Sequence, residues 1–265
     1  MEFTIISKQT LPNTVSSYEF PFNERIRTYL RLEDLFTKVL HHVEVGHEYN
    51  HHAALISILQ MLDIIDRADL KMDLLQELDR QKINLQNLRG NPNISEKALN
   101  ATIAKIEHSA AGLRVDNHKL GQALRENEWL MSIKQRANIP GGVCEFDLPS
   151  YHHWLYLGEA RRRTDFDSWL SRLMPMHSAI QTILQILRGS GEIIKLVAKM
   201  GAFQQLLGGA KPAQLLRIET NNSPCFPEVS ANKYAINIRF NSLDFVQKPK
   251  QCEHDIEFSM VICNF

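Results

Sequence analysis

Between Asn138 and Leu155 the sequence NIPGGVCEFDLPSYHHWL sets a turn, a short alternating run and a helix start in direct succession. No other stretch restricts the fold as much. Pro140-Gly141-Gly142 is turn chemistry, because proline presets φ and glycine supplies positive φ without a steric cost. Val143, Cys144, Glu145 and Phe146 then alternate apolar and polar, which predicts a short strand at about 143–147. Pro149 lacks the N–H a ladder needs, and Ser150 is the expected N-cap of the helix that follows. Tyr151, His152, Trp154, Leu155 and Tyr156 open that helix with an aromatic-rich turn. A lone strand between helices needs partners, and strand-like sequence gathers only after residue 190. The prediction is therefore an α+β fold. A mainly helical bundle domain joins a C-terminal antiparallel β-sheet domain, which also takes the strand from around residues 143–147.

The rest of the chain fits that frame. Phe3, Ile5 and Ile6 are compatible with a short edge strand, Thr10 to Ser17 has loop composition, and Tyr18 to Phe22 reads as extended. Asn23 is placed to cap a helix whose apolar positions Ile26, Leu30, Leu35, Phe36, Val39, Leu40 and Val43 recur at helical spacing. Ala53 to Ile65 is apolar on nearly every side, the pattern of a helix at the centre of a bundle. A leucine stripe at 70–88 and a second apolar stripe at Ala98, Ile103, Ile106, Ala110 and Leu113, separated by Gly90-Asn91-Pro92 and an Asn93/Glu96 capping box, predict an antiparallel helical hairpin. Leu120, Leu124, Leu130 and Ile133 mark a further helix. Thr164 with Asp167 is a second expected capping box, and Pro175 is expected to kink or split the helix after it. Alternation at Leu216–Thr220, Tyr234–Phe240 and Ile256–Ile262 predicts antiparallel strands with one wet face. The expected division is an N-terminal extension over 1–19, a helical domain over 20–189 with the inserted strand 143–147, and a β-sheet domain over 190–265.

Charge and cysteine usage narrow the function. Lys and Arg total 30 against 30 Asp and Glu, so a general polyanion binder such as a nucleic-acid-coating protein is disfavoured. No apolar run approaches a membrane span and no signal-peptide pattern opens the chain, so neither a membrane nor an export route is expected. Cys144, Cys225, Cys252 and Cys263 are scattered without CxxC spacing, which predicts free thiols in a cytoplasmic protein.

Motifs for catalysis are missing: there is no Walker loop, GxSxG elbow or HExxH. The histidines His41, His42, His47, His51 and His52 form the one cluster that suggests an enzyme. His47 and His51 stand at i, i+4, a spacing that seats a metal on a continuous helix. A polar connection between helices, aided by Gly46, is the plainer reading. Arginines say more. Arg27 and Arg31 lie one turn apart, Arg67 sits at a polar joint, and Arg161-Arg162-Arg163 reads as solvated loop charge. Arg217 and Arg239 alternate with apolar neighbours and are expected to share the polar face of a sheet. Guanidinium groups on such a face suit the carboxylates of an acidic peptide.

FNERIRTYLRLEDLF (22–36), LLQELDRQ (74–81), IPGGVCEFDLP (139–149), HHWL (152–155) and INIRF (236–240) resemble the ZapD family of bacterial cell-division proteins. The similarity runs from about Phe20 to the C-terminus, and residues 1 to about 16 look like an extension beyond the family's usual start. The resemblance implies a non-enzymatic, cytoplasmic homodimer without cofactor that acts at the mid-cell Z ring. Such a dimer binds the C-terminal tail of FtsZ and bundles its filaments. The alternative is a metal-dependent enzyme using the His41 to His52 cluster. Motif by motif, the resemblance places Arg31 (in RTYLRLED), Arg67 (in IIDRAD), His152 (in DLPSYHHW) and Arg239 (in INIRF) in the tail-binding pocket. Arg27 and Arg217 join the expected set. Glu128 and Ala235 stand where relatives carry basic residues, and Arg125 and Lys233 are the neighbours expected to compensate.

Overall fold

The computed structural model describes residues 15–66, 69–92, 94–115, 118–208, 212–221, 224–232 and 234–265. The chain divides into two compact units, Thr28–Ile186 and the N-terminal segment through Arg27 together with Leu187–Phe265. The expected edge strand at Phe3 to Ile6 and the Asn93 cap lie outside the described residues.

Nine helices are described: α1 (Glu24–Val45), α2 (Glu48–Ile65), α3 (Leu70–Gln86), α4 (Glu96–Val115), α5 (Gln122–Arg125), α6 (Glu128–Ala137), α7 (Pro149–Tyr156), α8 (Glu159–Ser171) and α9 (Met174–Arg188). Asn23 caps α1, its Oδ1 accepting from Ile26 N at 2.9 Å. α1 and α2 are separated by Gly46, whose φ of 79° a side chain would resist. α2 is the buried centre, with Ala54, Leu55, Ile58, Met61 and Leu62 all at 0% exposure. Across α3 and α4 the pairs Asp79–Arg114 (3.1 Å) and Lys82–Glu107 (2.7 Å) run in opposite sequence directions, so the two helices form the expected antiparallel hairpin. Pro175 stands in the first turn of α9, where its missing N–H costs nothing, and the expected split between α8 and α9 occurs there.

Two helix starts differ from expectation. α8 begins at Glu159, so Thr164 lies inside it and its hydroxyl donates to Ala160 O at 3.0 Å instead of capping. α7 begins at Pro149, with Ser150 already in its first turn. The strand expected at 143–147 is absent. Here the chain closes a succession of tight turns, with Gly142 N donating to Ile139 O (2.8 Å), Cys144 N to Gly141 O (3.2 Å) and Leu148 N to Cys144 O (3.0 Å). Local bonds thus satisfy the backbone that a ladder would have used. Phe146, which the alternation would bury, is 83% exposed.

The second unit is built from β1 (Val15–Pro21), β2 (Ile194–Ala198), β3 (Ala202–Leu206), β4 (Leu215–Asn221), β5 (Cys225–Ala231), β6 (Ala235–Ser242), β7 (Lys250–Gln251) and β8 (Ile256–Cys263). They make two antiparallel sheets, ordered β1-β4-β8-β2 and β3-β6-β5, with β7 also on β6. Alternate residues of both sheets meet in one core: Leu216, Ile218, Phe258 and Met260 from the first, Ile236, Ile238 and Phe240 from the second. The rings of Phe240 and Phe258 lie 5.1 Å apart between the sheets. Pro227 is tolerated in β5 because that strand is a sheet edge.

Not all the cysteines are free. Cys225 and Cys252 form a disulfide across a sequence separation of 27, while Cys144 and Cys263 remain thiols. β5 pairs along one side of β6, with Cys225 opposite Ser242. β7 pairs on the other side, with Gln251 opposite Asn241. The bond therefore links the two neighbours of β6 on the core side. Strand pairing creates that proximity, and no spacing motif announces it.

Candidate functional site

In the helical unit the most constructed surroundings belong to α7. Tyr151 is buried, and its hydroxyl lies 2.6 Å from His52 Nδ1. Trp154 Nε1 donates to Asp165 Oδ2 at 2.9 Å, and Trp154 packs edge-on against Phe166, with ring centres 5.7 Å apart. Trp129 and Trp169 complete this aromatic nest. His152, the next residue on α7, is half-buried, and its Nε2 lies 2.7 Å from the carbonyl oxygen of Val143. The tight turns before α7 thus fix the ring of His152. Burial pushes the pKa of His52 below the usual histidine value, and the charge of nearby His152 adds to that effect. Burial likewise raises the Tyr151 hydroxyl above the ordinary tyrosine range.

Arg31 is exposed on α1. Arg125 pairs with Asp66 at 2.9 Å and donates to Leu120 O. It borders a surface cavity of about 610 Å³ that Asp69, Leu70, Lys71, His118 and Lys119 also line. Arg67 and Lys233 lie outside the described residues. Glu128 is the exposed first residue of α6, and Ala235 is buried at the start of β6.

Arg217 and Arg239 do not share a face. They stand on different sheets, β4 and β6, each pointing away from the common core. Arg217 has its charge met locally, with Nε 3.1 Å from Glu219 Oε1 and Glu19 opposite on β1. Glu19 is in turn held by both ends of the Arg188 guanidinium fork at 2.7 Å. Arg27 is paired with Glu24 at 3.1 Å. Arg239 differs. It is exposed, stands opposite Glu228 in the register, and makes no ion pair among the described residues. Of the expected arginines that the structure describes in the sheet unit, Arg239 is therefore the one available to a partner.

The histidine cluster serves the fold. His47 caps α2, its Nδ1 accepting from Tyr49 N at 3.3 Å. His51 is fully buried and takes the Nε–H of Arg162 on its Nδ1 at 2.8 Å, while its Nε2 faces Val43 O at 3.3 Å. Burial holds the His51 pKa below its ordinary value. Among the described residues no group of three or more His, Cys, Asp and Glu side chains is placed to hold a metal ion.

Arg162 is the residue that sequence reasoning missed. Within the Arg161–Arg163 run it is 5% exposed. Besides His51 it donates to the carbonyls of Leu155, Leu157 and Gly46. Its neighbours behave as surface charge, Arg161 pairing with Asp165 (3.2 Å) and Arg163 with Glu159 (2.7 Å). A signal was present, since Arg162 lies four and eight residues before the buried Phe166 and Leu170, on the inner face of α8.

The sequence model of the ZapD cell division proteins matches residues 30–239. The chain belongs to the ZapD family. Among its relatives, a cell division protein ZapD of Dechloromonas aromatica is 49% identical over 94% of this chain and 99% of its own length. One from Aromatoleum aromaticum is 46% identical over 94% of this chain and 98% of its own. A ZapD of Nitrosomonas europaea is 44% identical over 98% of this chain and 99% of its own. This near-complete coverage supports a role in cell division for the chain as a whole. Among the described residues no helix is long and apolar enough to cross a membrane.

Proposed function

We propose that the protein is a dimeric, non-enzymatic adaptor that binds the C-terminal tail of FtsZ and cross-links FtsZ filaments at the cytoplasmic division site. Membership of the ZapD family over nearly the full chain carries this reading. The chemistry of the expected residues supports it. Exposed Arg239 has no ion partner among the described residues, and a guanidinium prefers the bidentate geometry of a carboxylate. Arg31 and His152 in the helical unit extend the set of candidates. Because Arg27 and Arg217 are neutralised by Glu24 and Glu219, they contribute less. Two tail sites on one dimer would hold two filaments, and bivalency would raise the apparent affinity of individually weak sites. Exposed charge pairs are screened by salt, so binding should weaken as ionic strength rises.

Co-sedimentation with FtsZ polymers tests the proposal, comparing intact FtsZ with FtsZ lacking its C-terminal tail. Pelleting and bundling should require the tail, and Arg31→Glu or Arg239→Glu should lower the pelleted fraction severalfold. Equal pelleting with both forms of FtsZ would sink tail recognition.

A further inference from the structure

Among the turn bonds that precede α7, Val143 O accepts none; its hydrogen-bond partner is the His152 ring, 2.7 Å away at Nε2. A carbonyl oxygen can only accept, so the proton of a neutral His152 ring must sit on Nε2. Nδ1 is then left as a bare acceptor. Adding a second proton turns Nδ1 into an N–H donor and gives the ring its charge. A carboxylate has no proton to offer, so it can bond Nδ1 only when that nitrogen carries one.

We infer that Val143 is a positioning residue that makes His152 a one-proton gate. A carboxylate of the bound tail engages Nδ1, and each binding event takes up a proton there. This rests on the proposed recognition of an acidic tail at His152. The ionisable groups around the ring are compatible with it. His52 on α2, close enough to feel the charge of His152, engages the Tyr151 hydroxyl, and burial favours its neutral form. Tyr151 and Tyr156 on α7 lie 5.6 Å and 6.4 Å from the His152 ring centre. Glu145, in the turns before α7, is hydrogen-bonded to Tyr156. Gly142 keeps the Val143 carbonyl in place. A Cβ there would fall 2.5 Å from Arg136 O and 2.7 Å from Ile139 Cβ.

Two measurements test the inference. Long-range ¹H–¹⁵N correlation on ¹⁵N-histidine-labelled protein without ligand, at pH 8, should show His152 as the Nε2–H tautomer. A dominant Nδ1–H tautomer would overturn it. Gly142→Ala, which displaces the Val143 carbonyl, should give a tautomer mixture. The wild-type spectrum decides the matter even if that variant does not fold.

Calorimetric titration of a synthetic FtsZ C-terminal tail peptide, in two buffers of different ionisation heat, reads the proton itself. Net proton uptake should accompany binding, and affinity should rise as pH falls. The uptake should vanish in His152→Gln, whose amide cannot be protonated in this range. Wild-type binding without uptake, or uptake that survives in His152→Gln, would overturn the gate while leaving tail binding intact. Absence of any binding would overturn both.

Discussion

The helical unit buries Arg162, His51, Glu77, Gln81, Ser109 and Thr182, whereas Thr220 and Asn241 are the buried polar side chains described in the sheet unit. The contrast reflects how each kind of element spends its backbone groups. A strand passes its N–H and C=O groups to its neighbours, so the ladder itself joins β1, β4, β8 and β2. A helix satisfies its backbone internally and leaves carbonyls open only at its C-terminus. The carbonyls of Leu155 and Leu157, near the end of α7, and of Gly46, just beyond α1, all fall to one guanidinium. Buried Glu77 is held within α3 itself, by Arg80 (2.7 Å) and Gln81 (2.6 Å). The sheet unit instead adds a covalent tie across β6. One unit is cross-braced by hydrogen bonds from side chains, the other by ladders and sulfur.

Removing the brace that carries most bonds should show this contrast at its largest. Arg162→Leu strips the donor from His51 Nδ1, from the buried carbonyls of Leu155 and Gly46 and from the half-buried one of Leu157, and an unsatisfied buried group costs about 1–3 kcal/mol. Summed over these groups, with Leu157 O able to reach water, the expected loss is about 3–5 kcal/mol. Tryptophan fluorescence is a selective probe, because Trp129, Trp154 and Trp169 are the chain's 3 tryptophans and all fall within Thr28–Ile186. A denaturation midpoint that hardly moves would show that the carbonyls find other donors.

The sheet unit should respond instead to reduction. Opening a cross-link across a separation of 27 residues should cost about 3–4 kcal/mol through the freed unfolded chain. Hydrogen exchange of the β5 and β6 amides, with and without reductant, reads that loss, and Cys225→Ala should reproduce it. Alkylation under denaturing conditions should label Cys144 and Cys263 before reduction and all 4 cysteines after it. Labelling of all four without reductant would remove the covalent half of the contrast.

The same contrast explains what could be read from the sequence. β4, β6 and β8 were legible because one face of each meets the shared core, so alternation reports burial directly. α2 was legible because nearly every side of it is buried. Val143–Phe146 carries equal alternation, but a run that short is also compatible with successive turns, and no ladder partner claims it. The disulfide depends on β5 and β7 flanking β6, a property of topology that a linear spacing does not encode. In the candidate site, Arg31, His152 and Arg239 stood out by charge or position, and the family motifs then assigned them to the tail-binding pocket. The local neutralisation of Arg27 by Glu24 and of Arg217 by Glu219 could have been read from their spacings of three and two residues. Arg162 was obscured by its charged neighbours, although its register with Phe166 marked the buried face.

Acid offers the mildest way to separate the two units. Burial lowers the pKa values of His51, His52 and His177, all within Thr28–Ile186, below the ordinary value of 6.5. For a histidine with a depressed native pKa, the unfolded chain binds the proton first. Stability is therefore full above about pH 6.5 and is lost as pH falls from there through the native pKa. The sheet unit has shifted carboxylates instead. Asp255 is held below the usual carboxylate range chiefly by Lys199, and Asp244 by the backbone N–H groups of Gln247 and Val246. Their contribution is present above about pH 4 and fades only below it. Between about pH 6.5 and 4 the fluorescence-monitored stability of the helical unit should fall, while protection of the β4, β6 and β8 amides should change little. The effect should be smaller than either substitution because a buried histidine can remain neutral, whereas Arg162 cannot shed its charge and a broken cross-link has no substitute. A helical unit whose stability holds flat across that interval would mean that the buried imidazoles gain acceptors on protonation, and His52, whose Nδ1 meets a Tyr151 hydroxyl able to accept as well as donate, would be the first place to look.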